Sequence, residues 1–96
     1  MLHIVCRSPY ADRALFERLL ETLDASATVL LTEDGVLGAS GSCAARLAES
    51  PARCCVLRED LAARGLLERC HDALEVVDMG IFVELTACHS SSLSWY

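Results

Sequence analysis

Lysine is missing altogether: all eight basic residues in the 96-residue chain are arginine. That excludes a Walker-type phosphate lysine and Schiff-base chemistry, both of which need an amine on a flexible stem. Positive charge is also scarce overall, and the formal net charge of -6 argues against a chain that grips nucleic acid, because such affinity comes largely from cations neutralising phosphates. No apolar run approaches the roughly 18 residues of a bilayer-spanning helix. The first residues, with His3 and Arg7 in a strand-like segment, do not follow a signal-peptide pattern, so a cytosolic protein is expected. No G-x-G-x-x-G occurs, which leaves a dinucleotide site unsupported. Internal repeats and low-complexity segments are likewise missing.

What the chain does have is apolar surface. At 53% hydrophobic it exceeds the ~45 to 50% usual for soluble domains, and a domain this small has much surface per unit volume. Some of that surface is expected to meet another protein. The length predicts one domain, residues 1–96, since a second would lack a core.

The stretch from Ala27 to Ala39 organises the rest. The unbroken Val29-Leu30-Leu31 lacks the alternation of a half-exposed strand and suits a parallel strand covered on both faces. Asp34-Gly35 supplies turn chemistry, glycine taking positive φ without a Cβ clash. In open α/β sheets ligands and partners bind at the carboxyl ends of strands, which would put Glu33 and Asp34 on a working rim. A solvated turn bearing two surface acids is the plainer reading of the same residues.

Around that stretch, Met1 to Cys6 reads as a first strand. Ser8-Pro9 offers an N-cap and a first-turn proline for a helix whose apolar residues, Leu15, Phe16, Leu19, Leu20 and Leu23, share one face between Ala11 and Leu23. Gly38 to Ser42 is small and flexible, and Cys43 to Glu49 is a short helix ended by Pro51. Arg53 to Leu57 forms the third strand, and a helical turn capped by Asp60 stops at Gly65. Leu74 to Val77 forms the fourth strand. A last helix, N-capped by Asp78, places Met79, Phe82 and Leu85 at helical spacing and runs to about His89; Ser90 to Ser92 breaks it, and Leu93 to Tyr96 forms a fifth strand. The alternation predicts an α/β fold: a mostly parallel five-stranded sheet with right-handed crossovers and helices on both faces.

Six cysteines, Cys6, Cys43, Cys54, Cys55, Cys70 and Cys88, raise a disulfide framework, but their scatter through strand-like and helix-like segments favours reduced thiols. Cys43, at the start of a helix, is the best-placed reactive thiol. The plain alternative is a buried structural cysteine. Cys54 and Cys55, adjacent in a strand, should enter opposite layers. Cys70-His71 and Cys88-His89 lack the paired spacing that zinc sites usually show, so no metal is expected. His3 reads as a hydrogen-bonded core or rim histidine. Trp95 and Tyr96 form either an interface anchor or a cover for the chain's own last helix.

Taken in order and spacing, Leu2-His3, Arg7-Ser8-Pro9, Leu31 to Val36, Asp60 to Gly65, Val77-Asp78, Phe82 to Thr86 and Leu93-Ser94-Trp95 resemble the TusB/DsrH family of sulfur relay proteins, over essentially the whole chain. The resemblance implies a DsrE-like fold and a non-catalytic subunit. Its partners would be TusC/DsrF-like and TusD/DsrE-like subunits in a heterohexamer of two heterotrimers. That complex passes persulfide sulfur to a TusE/DsrC-like acceptor for 2-thiolation of the tRNA wobble uridine. It implies no cofactor and no direct contact with nucleic acid or membrane. The accepting cysteine belongs mainly to the TusD/DsrE-like partner. DsrH-type members of the sulfur-oxidiser branch can carry a cysteine early in the first helix, and Phe16 to Leu20 here has none, which favours the tRNA branch. Glu33, Asp34, Gly35 and Trp95 are the interface candidates. The alternatives are a DsrEFH-type subunit in sulfur oxidation, a thiol protein carrying persulfide on Cys43, and a monomeric module binding a small anion at a helix N-terminus.

Overall fold

A computed structural model describes residues 1–89 and 91–95 of the chain. Five parallel strands form one sheet in the order β4-β3-β2-β1-β5: β1 (Leu2–Val5), β2 (Thr28–Leu31), β3 (Arg53–Leu57), β4 (Glu75–Val77) and β5 (Ser92–Trp95). Helices α1 (Arg13–Thr22), α2 (Gly41–Glu49), α3 (Arg58–Ala63) and α4 (Met79–Cys88) make the crossovers. The expected α/β class, strand count and parallel direction all hold. Ser90 and Tyr96, assigned from sequence to the last break and the last strand, lie outside the described residues.

The apolar triplet in β2 explains its central place, with Thr28, Val29, Leu30 and Leu31 all buried. Register pairs Val29 with His3 and Cys54, and Leu31 with Val5 and Val56. Side chains alternate across a strand, so these residues enter one layer. There Phe16 and Leu19 of α1 and Cys43 and Leu47 of α2 pack against Val5, Val29, Leu31, Cys54 and Val56. The opposite layer is smaller: Leu2, Leu30, Cys55 and Val77 pack against Leu85 of α4. Cys54 and Cys55 thus part to the two faces as their adjacency requires. Each fully buried leucine or phenylalanine stabilises the fold by roughly 1.5 to 3 kcal/mol relative to exposure.

Helix boundaries correct three sequence expectations. Ser8 does not cap α1: its hydroxyl accepts the Tyr10 N–H and its carbonyl accepts those of Ala11 and Asp12, closing a turn around Pro9. Asp12 caps the helix instead, its carboxylate accepting the Leu15 N–H at 3.1 Å. Asp60 does not cap α3, which starts at Arg58 directly from β3; its carboxylate is used across a gap described below. Gly38 to Ser42 is not a flexible link, because Glu33–Ala39 winds as a 3-10 helix with Val36 and Ala39 in the core. Two expectations hold at the caps: Asp78 accepts the Ile81 N–H at 3.0 Å at the start of α4, and Gly65, at φ +67°, follows α3 in a conformation that suits glycine.

Candidate functional site

The carboxyl ends of β1, β2 and β3 meet at one edge of the sheet, where two adjoining cavities open. One, about 290 Å³, is lined by Cys6, Arg7, Glu33 and Asp34. The other, about 340 Å³, lies between Ile4, Cys6, Thr32, Glu33, Leu57 and Asp60 and the first turn of α4, at Met79 and Phe82. Cys6 and Glu33 belong to both. The crevice lies outside the carboxyl ends of the strands, where open α/β sheets place their clefts, between the layer of α1, α2 and α3 and the layer of α4.

Its rim is held by specific bonds. Glu33 is the sole non-glycine at positive φ among the described residues (φ 51°), a conformation costing roughly 1 to 2 kcal/mol for an L-residue. The Asp60 carboxylate accepts the Glu33 N–H at 2.7 Å, a charge-assisted bond that offsets the cost. Asp34 receives Arg64 at 2.9 Å. Gly35 is required here for a different reason from the one its sequence context suggests. A β-carbon on it would stand 2.0 Å from the carbonyl oxygen of Val5, so the glycine serves close approach and not left-handed φ.

Of the residues singled out from sequence, Glu33 and Asp34 lie exposed on this rim and Gly35 is buried beneath it. Trp95 approaches it through its backbone, its carbonyl accepting the Cys6 N–H at 3.1 Å. The Trp95 side chain turns to the α1 layer, half-buried, and its indole N–H donates to Nδ1 of His3 at 3.1 Å. That covers the chain's own first layer and not the last helix. Cys43 is elsewhere: it sits in the first turn of α2 as expected, but only 1% exposed, with its N–H donating to the Tyr10 hydroxyl.

The thiols differ in what they can do. Burial pushes the Cys54 thiol up, and burial together with a hydrogen bond to Glu75 pushes Cys55 to about 12. Burial raises Cys70 as well. A thiol held protonated is a poor nucleophile, so burial makes each of these three less reactive than an open thiol. Cys6 is the residue that sequence reasoning passed over. It is half-buried, opens onto both cavities, and its sulfur lies 3.5 Å from the Thr32 hydroxyl. The available signal was its place as the last residue of the first strand, followed by Arg7. Among the described residues no group of three histidine, cysteine or acidic side chains converges as metal ligands, and no helix is long and apolar enough to cross a membrane.

Comparison with known proteins bears on the chain as a whole and on its fold. Residues 7–92 match the family model described as DsrH like protein. Protein TusB of Escherichia coli (strain SMS-3-5 / SECEC) is 39% identical over 97 residues, covering 99% of this chain and 100% of that protein. Protein TusB of Pectobacterium parmentieri is 36% identical with the same coverage. Among solved structures, the ychN protein of E. coli superposes with a TM-score of 0.75 at 17% identity, over 98% of this chain and 97% of that one. Protein Tm0979 of Thermotoga maritima gives 0.70 at 18%, over 91% and 92%. These two likenesses speak for the DsrE-like fold alone.

Proposed function

The chain belongs to the TusB/DsrH family, and from that membership we propose that it is a non-catalytic subunit of a cytoplasmic sulfur relay complex. In this reading residues 1–96 form one unit that assembles with TusC/DsrF-like and TusD/DsrE-like subunits in a heterohexamer. The complex hands persulfide sulfur to a TusE/DsrC-like acceptor for 2-thiolation of the tRNA wobble uridine. The rim residues Glu33, Asp34 and Gly35, with Trp95, contribute to the surfaces that shape the sulfur acceptor's surroundings.

One observation carries the non-catalytic part: the thiol best placed by sequence, Cys43, is sealed in the core at 1% exposure. To take sulfur, a thiol must be reachable by the donor persulfide and must attack that persulfide's outer sulfur as a thiolate, with the donor's thiolate leaving. Cys54 and Cys55 are buried too, and that burial raises both thiol pKa values and so disfavours the thiolate. The net charge of -6 fits a chain that leaves tRNA to other proteins. The lack of cysteine from Phe16 to Leu20 favours the tRNA branch over sulfur oxidation.

The test is to form the complex with the sister subunits, expose it to a persulfide donor, and weigh each subunit intact. A gain of one sulfur on the DsrE-like sister and none on this chain is expected. A stable gain on this chain, removed by Cys43→Ser or by Cys6→Ser, overturns the non-catalytic reading and identifies the carrier.

A further inference from the structure

Helix α4 is built unlike the other long helices. α1 presents Arg13, Glu17, Arg18 and Glu21 outward, so where this chain meets solvent with a helix it writes a polar face. The sequence of α4, Met-Gly-Ile-Phe-Val-Glu-Leu-Thr-Ala-Cys, carries one charge, Glu84, and has no polar face to match. A helix apolar on all sides belongs in an interior. Here Leu85 alone is buried, Ile81 and Phe82 are half-buried, and Met79 and Val83 stand 51% and 58% exposed. Met79, Val83 and Ala87 follow one another at four-residue spacing and form a single outward stripe. At its amino end this stripe runs into the crevice, where Met79 and Phe82 join Ile4 and Leu57.

The surrounding charge selects the occupant. Asp78 and Glu84 flank the stripe on α4, and Glu33 and Asp60 stand across the crevice. Arg58 and Glu59 at the start of α3 bring one charge of each sign. A second copy of this chain would bring the same acids against these, on top of a net charge of -6 for each copy; in a two-fold contact each patch meets itself. Like charges placed across an interface discriminate strongly against a partner.

We infer that the outer face of α4, with the crevice mouth beside it, docks a different subunit of the relay assembly whose matching face is apolar and rimmed by arginine or lysine. This rests on the sulfur relay reading above and adds to it the surface and the chemistry of what covers it.

The experiment uses the full chain co-purified with its sister subunits. Met79→Glu combined with Val83→Glu places two charges on exposed positions, so the fold is retained, as circular dichroism will show. Val83→Gln serves as a second, uncharged variant. The double variant is expected to lose more than tenfold in affinity for the sister subunits, while Leu67→Glu, an equally exposed apolar position next to α3, leaves assembly unchanged. Glu84→Arg is expected to weaken assembly severalfold. If the wild-type chain assembles and the double variant assembles equally well, the surface is wrong and the relay reading stands. If the wild-type chain binds none of its sisters, the relay reading itself fails. If the wild-type chain forms a dimer alone that the double variant abolishes, or if Glu84→Arg tightens assembly, the basic-rimmed partner is wrong.

Discussion

Replacing Gly35 by alanine tests the structural account of the crevice at its tightest point. The added methyl carbon would lie 2.0 Å from the Val5 carbonyl oxygen and 2.8 Å from the Val5 carbonyl carbon. Non-bonded carbon and oxygen atoms need more than 3 Å, so the backbones must part by about 1 Å. β1 cannot retreat. It is paired on both sides, by β2 and β5, and the same Val5 carbonyl accepts the Thr32 N–H at 2.9 Å. The 3-10 helix must lift instead, weakening that bond and the one from the Gly35 N–H to the Thr32 carbonyl at 2.8 Å. Val36 and Ala39 are drawn from the core with it.

Overpacking costs typically ~1 to 3 kcal/mol and a net hydrogen bond about 1 kcal/mol, so Gly35→Ala should destabilise the chain by roughly 2 to 4 kcal/mol. A domain of this size is stable by roughly 5 to 14 kcal/mol in total, and each lost kcal/mol lowers Tm by about 4 to 8 °C. The assay is urea unfolding followed by circular dichroism, with Gly65→Ala as its internal standard. Gly65 has positive φ but open space around it, so alanine there costs only the left-handed conformation, about 1 kcal/mol. If Gly35→Ala proves no more destabilising than Gly65→Ala, close approach is not why glycine stands at position 35, and the rim is not as rigid as argued.

Three further outcomes follow from the same structure. His3 accepts the Trp95 indole proton, and burial, followed by the charge of the amino terminus, holds its pKa below the ordinary 6.5. The unfolded chain therefore binds the proton first, so stability is whole above pH 6.5 and falls as pH drops through the lowered folded value. Fluorescence of the single tryptophan will follow the release of β5, and His3→Phe should flatten the response between pH 7 and 5. Brief alkylation of the native chain at neutral pH should modify the exposed Cys88 and the half-buried Cys6, leaving Cys43, Cys54 and Cys55 untouched until the chain is unfolded; mass spectrometry of peptides reads this directly. Asp12→Ala should cost about 1 kcal/mol through loss of the α1 cap while Ser8→Ala, at a position that closes a turn, leaves α1 helicity unchanged, as thermal melts and circular dichroism will report.

The sheet was legible because its information is local. An unbroken apolar triplet marks a central strand, and period-two alternation places Cys54 and Cys55 on opposite faces wherever the strand lies. The caps were half legible: Asp78 reads from sequence as the α4 cap it is, but Ser8-Pro9 reads as the α1 cap, carries a cap's signature and is consumed by a turn, and Asp12, which bonds a residue three positions on, is missed. Asp60 misleads for the opposite reason. Its partner, the Glu33 N–H, lies 27 residues away and exists only once β2 and β3 are paired. The crevice shares that dependence. Glu33 and Asp34 were visible as a rim because strand ends are, whereas Cys6 enters the site through the ending of a strand that offers no turn chemistry of its own.

The same contrast explains why α4 could be recognised from sequence while its outer face went unread. Met79, Phe82 and Leu85 satisfy helical spacing and suffice to identify the element. Choosing them leaves Ile81 and Val83 unexamined, and it is their filling of the remaining positions that removes the polar face. Periodicity analysis finds where apolar residues recur; a helix with apolar residues everywhere passes that test and also fails to say which side is inward. The structure separates the two sides by burying Leu85 and exposing Val83. The exposed part of the apolar excess in the composition thus falls in part on the outer face of α4. On α1 the outward residues include Arg13, Arg18 and Glu21; on α4 they are methionine and valine, and it is this difference that the proposed docking of a second protein rests on.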